Sequence, residues 1–460
     1  MSDVGQRERI AQNRVVQHFQ DTLGFDYLGN WETRAGNSNV EAALLTQNLR
    51  ARGYDVKLIN KAVDQLTKDA SLGGGRDLYE ANRDVYNLLR YGVKVRPGIG
   101  EQTETVWLVD WANPQANHFA IAEEVTVLGQ HTKRPDIVVY LNGIAIAVLE
   151  LKCSKVAVSE GIRQTIGNQK PEFIRQFFTT VQLVFAGNDV EGMRYGVIGT
   201  PEKYWMEWRE LSDVDDPLDR ALGQLCSKER LLELIHDFTV FDSGTRKACR
   251  HNQFFGVQAA RARIVQREGG IIWHTQGSGK SLTMVWLAKW IREHQDDPRV
   301  LLITDRTELD EQIEKVFNGV NEMIYRTSSA VDLLDTLNKS TEWLMCSLVH
   351  KFDLGVPKDF TAKGNIFVFV DEAHRTQSGT MHAAMRQLLP GAMFIGFTGT
   401  PLLKQDMATS METFGSFIHT YKFDEAVSDG VVLDLRYEAR TIDQNLTSPK
   451  QVDTWFDVKT

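Results

Sequence analysis

Residues 270–283 read GIIWHTQGSGKSLT: an apolar run, then a glycine-spaced loop, then a stretch that favours helix. Phosphate binding asks for this order. Glycines let backbone N–H groups approach an anion, and the following helix presents the positive end of its dipole to it. Gly277, Ser278 and Gly279 form the cradle, Lys280 is placed to reach the β- and γ-phosphates, and the Ser281 hydroxyl is placed to hold Mg²⁺. The strict form of this loop has glycine where His274 stands. The two glycines nearest the phosphates are kept.

Working outward, residues 366–370 (IFVFV) form an apolar strand that ends in Asp371-Glu372-Ala373-His374. Acids at the carboxyl end of a buried strand lie where α/β sheets bind ligands. Asp371 is expected to hold Mg²⁺, and Glu372 to polarise the water that attacks a γ-phosphate. Between and around these segments, helical patterns alternate with apolar runs at 300–304 and 392–397, which predicts a parallel sheet covered by helices.

Upstream the pattern changes. Residues 8–95 read mostly helical, with Ile10, Val15, Val16, Phe19 and Leu23 at helical spacing, and the glycines at 73–75 mark a loop. From residue 105 come strand-like runs at 105–111, 118–128, 136–141, 144–151, 181–186 and 195–198, with a helical stretch over 159–178. The polar stretch LSDVDDPL at 211–218 marks a boundary, and a helix over 217–236 bridges to the next domain.

The segment RPDIVVYLNGIAIAVLELK, residues 134–152, is two β-branched runs around Asn142-Gly143, a hairpin signal. Its few polar groups sit near the ends: Asp136 opens one run, while Glu150 and Lys152, two apart, share a face of the other. Two carboxylates beside an ammonium suit Mg²⁺-dependent phosphodiester hydrolysis. Register decides whether they meet. A two-residue loop pairs Leu141 with Ile144 and sets Asp136 opposite Leu149, leaving Glu150 on the other face. A three-residue loop over 142–144 pairs Leu141 with Ala145 and sets Asp136 opposite Glu150. A shared metal site therefore predicts the bulged loop, or an equivalent irregularity near Asp136.

Composition fits this layout. The chain has 460 residues, 42% hydrophobic and 25% charged, as in ordinary globular proteins. Neither a signal peptide nor an apolar run long enough to span a membrane is evident, so a cytoplasmic location and no membrane partner are expected. Four scattered cysteines, Cys153, Cys226, Cys249 and Cys346, fit neither a zinc ribbon nor a disulfide scaffold. A net charge of -9 leaves nucleic acid open as a partner, because a cleft needs only a local basic face.

The motifs resemble superfamily 2 helicases and translocases. HTQGSGKS looks like their motif I and DEAH, including His374, like motif II. TDRTELDEQ at 304–312 resembles motif Ia, implying nucleic-acid contacts by Asp305, Arg306 and Gln312. FTGTP at 397–401 resembles motif III, implying that Thr398 and Thr400 link ATP state to DNA grip, and CSLVHKF at 346–352 implies a DNA contact by Lys351. Gln253, in RHNQ at 250–253, resembles the adenine-recognition glutamine. PD followed by E-x-K resembles the PD-(D/E)xK nuclease core, in which Asp136, Glu150 and Lys152 are catalytic. Many such nucleases add a helical Q-x-x-x-Y element; Gln164 matches it, but Asn168 stands at the tyrosine position. Glu8 is read as part of a solvated face rather than as a further ligand.

Together these resemble the R subunit of type I restriction-modification enzymes. The resemblance implies an α/β chain in which a PD-(D/E)xK nuclease domain, a mixed sheet with helices, precedes a RecA-like parallel motor lobe. The expected divisions are 1–215 for the nuclease, with its core at about 105–200, 216–240 for the connection, 241–420 for the lobe, and 421–460 for passage into a second lobe. It also implies ATP and Mg²⁺ as cofactors, double-stranded DNA as substrate, and methyltransferase and specificity subunits as partners. S-adenosylmethionine would enter only through the methyltransferase subunit. Nothing after 437 resembles the later motor motifs, so the 460 residues are expected to be part of a longer subunit that binds ATP but by itself hydrolyses it poorly. The competing readings are a strand-separating repair helicase-nuclease and a non-cleaving ATP-dependent switch or scaffold.

Overall fold

The computed structural model describes residues 3–305, 307–339, 341–352, 360–373, 379–400, 411–412 and 414–434. Its first part holds helices Asp3–Asp21 (α1), Ala42–Ala51 (α2), Val56–Asp69 (α3), Leu78–Tyr91 (α4) and Val158–Asn168 (α5). Strand Asp26–Asn30 (β1) is followed by a small antiparallel pair, Val93–Val95 (β2) with Glu104–Val106 (β3). Then come Phe119–Glu123 (β4), Ile137–Leu141 (β5), Ile144–Leu151 (β6), Leu183–Asn188 (β7), Gly192–Gly196 (β8) and Met206–Glu207 (β9). All but β2 and β3 join in one mixed sheet ordered β1-β4-β5-β6-β7-β8-β9, with β1–β4 and β6–β7 parallel.

The strands at the centre of this sheet are buried on both faces, so β5 and β6 read as continuous apolar runs. On one face Val139, Leu149 and Leu151 pack with Val15 and Phe19 of α1. On the other, Val138, Tyr140 and Val148 pack with Val158 and Ile162 of α5. Within α1, Val15, Val16 and Phe19 are buried as their spacing predicts, but Ile10 is 68% exposed. β1 was not anticipated in the helical stretch, and the run at 105–111 forms strand only in β3.

The bridge over 217–236 is two helices, Pro217–Cys226 (α6) and Lys228–Asp237 (α7), broken at Ser227, where ψ is 143°. After it comes an unanticipated hairpin, Thr239–Asp242 (β10) with Thr245–Ala248 (β11), turning through Ser243 and Gly244, both at positive φ. Arg246 of this hairpin is buried. Its guanidinium donates to Asn82 Oδ1 at 2.6 Å, Val181 O at 3.1 Å and Gln182 Oε1 at 2.6 Å, all in the first part of the chain. At the hairpin tip, Ser243 N donates to Gly319 O at 3.1 Å.

The second part alternates helix and strand: His251–Gln266 (α8), Gly270–His274 (β12), Lys280–His294 (α9), Pro298–Thr304 (β13), Thr307–Gly319 (α10), Tyr325–Arg326 (β14) and Ala330–Asn338 (α11). Leu344–Leu348 (β15), Asn365–Val370 (β16), Gly379–Leu388 (α12), Met393–Thr398 (β17), Phe417–Tyr421 (β18) and Phe423–Ser428 (α13) complete it. The sheet is parallel throughout, ordered β14-β15-β13-β16-β17-β12-β18. This is the expected α/β arrangement, a mixed sheet followed by a RecA-like lobe. Strands β12, β13, β16 and β17 fall within a residue or two of their expected spans.

The β5–β6 turn is anchored more deeply than an ordinary hairpin. Asn142 and Gly143 both have positive φ, 53° and 85°, as in a type I′ turn. The Asn142 side chain accepts from His118 N and donates to Leu108 O and Asn117 Oδ1. A Cβ at Gly143 would stand 2.8 Å from Glu41 O and Leu44 Cβ. Gly143→Ala should therefore destabilise the protein by about 3 kcal/mol, adding backbone collision to left-handed strain. Gly244→Ala has φ +87° but nothing within 4 Å, and should cost about 1 kcal/mol. Urea unfolding of the two variants checks the difference.

Candidate active sites

The hairpin register resolves the placement of the first acidic group. The turn has two residues, with Leu141 paired to Ile144 and Tyr140 to Ala145, so the three-residue loop is not formed. The register then slips by one: Val139 pairs with Ala147 and Ile137 with Leu149. Ile146 is the extra residue, and Ile146 and Ala147 consequently face the same core. The irregularity thus lies near the turn rather than near Asp136. Its effect is the one required: continuing the shifted register sets Asp136 opposite Glu150, on the face covered by α5.

Asp136 Oδ2 accepts from Leu151 N at 2.6 Å, which ties the acid to the β6 backbone. Glu150 is fully buried; its Oε2 accepts from Gln164 Nε2 at 2.7 Å and its Oε1 from Asn168 Nδ2 at 3.2 Å. Lys152 Nζ donates to Leu151 O at 2.8 Å. Asp136, Glu150, Lys152 and Gln164 are therefore brought to one end of the sheet, and Asn168 joins them. The side chain of Glu8 lies outside the described residues.

Sequence reasoning passed over a second buried acid. Glu123 is 4% exposed and opposes Ile137, placing it on the α1 side of the sheet. Arg9 at 2.9 Å, Tyr27 at 2.8 Å and Asn30 at 3.2 Å all donate to its Oε1. Gln12 Nε2 reaches both Glu123 Oε2 and Asp136 O at 3.3 Å, so α1 braces the strand end that carries Asp136. An inward-facing glutamate closing the apolar run HFAIAE was the available signal.

In the parallel sheet, the phosphate loop leaves β12 and the acids leave β16, with β17 between them. Gly277 and Gly279 have φ of 85° and 91°, and Ser278 Oγ donates to Thr275 O at 2.6 Å. Ser281 lies in the first turn of α9. Lys280 Nζ lies 3.6 Å from Glu372 Oε1, and a Cβ at Gly399 would stand 2.5 Å from that ammonium. Asp371 Oδ1 accepts from Glu372 N at 3.0 Å, and burial pushes the Asp371 carboxyl up to about 6 while Lys280 pulls it down. Loop backbone, ammonium and two acids meet at one sheet edge, as anion and cation binding together require.

His274 does not disturb the cradle. It is the last residue of β12 and points under α8, where its Nε2 lies 2.9 Å from His419 Nδ1. Gly256 makes the room: a Cβ there would stand 2.8 Å from His274 Cε1. Burial holds both imidazoles down, His274 well below its usual range and His419 to about 4.

The remaining candidates are placed as follows. The Gln253 amide is engaged within the protein, accepting from Arg250 N at 2.8 Å and donating to Gly279 O at 3.0 Å. It therefore buttresses the phosphate loop and is not simply open to a base. Lys351 Nζ bonds Thr327 O, and Thr398 Oγ1 accepts from Thr400 N at 3.4 Å. Asp305 follows the end of β13. Arg306 and His374 lie outside the described residues, as does the Gln312 side chain.

A mixed-sheet domain with a buried acidic end is followed, in one α/β chain, by a parallel-sheet lobe with a phosphate loop. Residues 5–203 match the family of the type I restriction enzyme R protein N terminus, and 252–460 match the SWI2/SNF2 ATPase family. Among curated proteins, the putative type I restriction enzyme MjaIXP endonuclease subunit of Methanocaldococcus jannaschii is 29% identical, over 97% of this chain and 47% of its own length. The HindI endonuclease subunit of Haemophilus influenzae is 28% identical, over 95% of this chain and 46% of its own. The chain is thus similar over most of its length to these two endonuclease subunits and spans about half the length of each. Among solved structures, the Sulfolobus solfataricus SWI2/SNF2 ATPase core in complex with dsDNA aligns over 42% of this chain and 40% of its own, at 15% identity and a TM-score of 0.33. Among the described residues no helix is long and apolar enough to cross a membrane.

The histidine pair behind the loop has a measurable consequence. Between about pH 6.5 and 4 the unfolded chain carries a proton on His419 that the folded chain does not, so folding stability falls as pH drops through that window. His419→Gln should flatten the loss of urea stability between pH 7 and 5; parallel slopes for variant and wild type would refute the assignment.

Proposed function

We propose that this chain carries the nuclease domain and first motor lobe of the R subunit of a type I restriction-modification enzyme, with residues 1–215 as nuclease, 216–240 as connection, 241–420 as lobe and the following segment leading to a second lobe. The subunit moves along double-stranded DNA at the expense of ATP and cuts unmodified foreign DNA away from the recognition site. Methyltransferase and specificity subunits complete the complex, and base recognition falls to the specificity subunit, so this chain grips phosphates. The observation that carries the reading is the slipped hairpin, which turns Glu150 to the face of Asp136 in a chain that also holds a phosphate loop opposite Asp371 and Glu372.

In the nuclease, Asp136 and Glu150 would hold Mg²⁺; both are carboxylates at one strand end, a donor set that suits this cation. The bound ion supplies a polarised water and charge stabilisation at the scissile phosphate. Lys152 is placed to offset charge on that phosphate, and Gln164 keeps Glu150 in position. In the lobe, Gly277, Ser278, Gly279 and Lys280 bind the ATP phosphates, Ser281 and Asp371 hold its cation, and Glu372 orients the attacking water. Gln253 and His374 complete the nucleotide site, and Asp305, Arg306, Gln312, Lys351, Thr398 and Thr400 serve DNA contact and coupling.

The two sites separate by mutation. In the assembled enzyme, Lys280→Ala should lower ATP hydrolysis by on the order of a hundredfold and abolish translocation and cleavage with it. Glu150→Ala should abolish cleavage while leaving DNA-stimulated ATPase at the wild-type rate. Loss of ATPase in the second variant, or surviving cleavage, contradicts the assignment.

A further inference from the structure

Helix α5 approaches the nuclease sheet on a glycine. A Cβ at Gly161 would stand 3.3 Å from Ala186 Cβ, 3.5 Å from Lys152 Cγ and 3.6 Å from Glu150 Cβ. Gln164 and Asn168 follow three and seven residues later, on the same helix face. Both side chains reach Glu150, and they take different oxygens: Gln164 Nε2 donates to Oε2 at 2.7 Å, and Asn168 Nδ2 to Oε1 at 3.2 Å. Asn168 is 1% exposed and stands where the resembling nuclease element carries tyrosine.

We propose that Asn168 is a positioning residue for Glu150, and that with Gln164 it forms a clamp of two neutral amides that presents the carboxylate to a divalent cation. The proposal rests on the reading of Asp136 and Glu150 as metal ligands. A glutamate side chain has several free torsions, and a ligand fixed before the metal arrives loses less entropy on binding it. The choice of donor matters. A lysine or arginine would fix the carboxylate but also neutralise it, and would compete with the cation. An amide fixes it and leaves the negative charge in place. A carboxylate oxygen accepts more than one contact, so an amide bond to it does not by itself preclude a metal. The departure from tyrosine therefore supplies a direct bond to the ligand carboxylate.

The test is a calorimetric titration of the nucleotide-free chain with Mn²⁺, comparing wild type, Glu150→Ala, Asn168→Leu and Asn168→Ala. Leucine is close to asparagine in size and lacks the donor, and thermal melting of each variant reports whether the fold survives. The sites lost in Glu150→Ala identify the nuclease metal position. At that position both Asn168 variants should bind Mn²⁺ about tenfold more weakly without a change in the number of sites. Affinity within about twofold of wild type in either folded variant overturns the clamp while leaving the metal site intact. Wild-type Mn²⁺ binding by Glu150→Ala overturns the metal-site reading itself, and the clamp with it.

Discussion

Side chains on a β-strand alternate between its two faces, so a slip of one residue exchanges the faces of everything beyond it. The mixed-sheet part of this chain depends on that constraint. The β5–β6 hairpin begins in the register of a tight turn, which by itself would send Asp136 and Glu150 to opposite sides of the sheet. One extra residue, Ile146, corrects it within a single strand pair. The correction is made inside the core rather than at the turn, because the turn is held by Asn142 and has Glu41 packed over Gly143. From the corrected register follow the burial of Glu150 beneath α5, its two amide partners, and the tie between Asp136 and the Leu151 amide.

The ATP-binding lobe depends on a coarser constraint. In a parallel sheet every strand ends at the same edge, so the phosphate loop after β12 and the acids after β16 meet without any special register. This tolerance explains why histidine can stand at a glycine position. His274 is still within the strand, its side chain is received by Gly256, and the glycine loop begins only beyond it.

The same contrast sets how much could be read from the sequence. The lobe's strands are short apolar runs between turn signals, and 270–274 and 366–370 are recognisable as such. The need for a slip between Asp136 and Glu150 could be derived from chemistry, but not its place, since Ala145, Ile146 and Ala147 carry no glycine or polar mark. The break at Ser227 is hidden because apolar spacing continues across it through Leu225 and Leu231. Asn168 read as a defect in a motif, because its bond to Glu150 depends on how closely α5 packs against β6. Glu123 was overlooked because its neutralising partners come from α1 and β1, about a hundred residues away in sequence.

The hairpin of β10 and β11 bears on how far the two halves are separable parts. Arg246 is a buried cation with neutral acceptors on Asn82, Val181 and Gln182, all supplied by the nuclease side, although it lies beyond the connecting helices. A fragment of the first part cut at the polar stretch near 215 would take from Asn82 Oδ1 and Gln182 Oε1 the donor they have here, and unfilled buried acceptors are costly. The hairpin also bonds the second part, Ser243 N donating to Gly319 O, so it fastens the two parts to each other across the break in composition. An exchange of the first part between related chains would have to carry this hairpin along, so the unit that evolution or an engineer can transplant is longer than the mixed-sheet fold it contains.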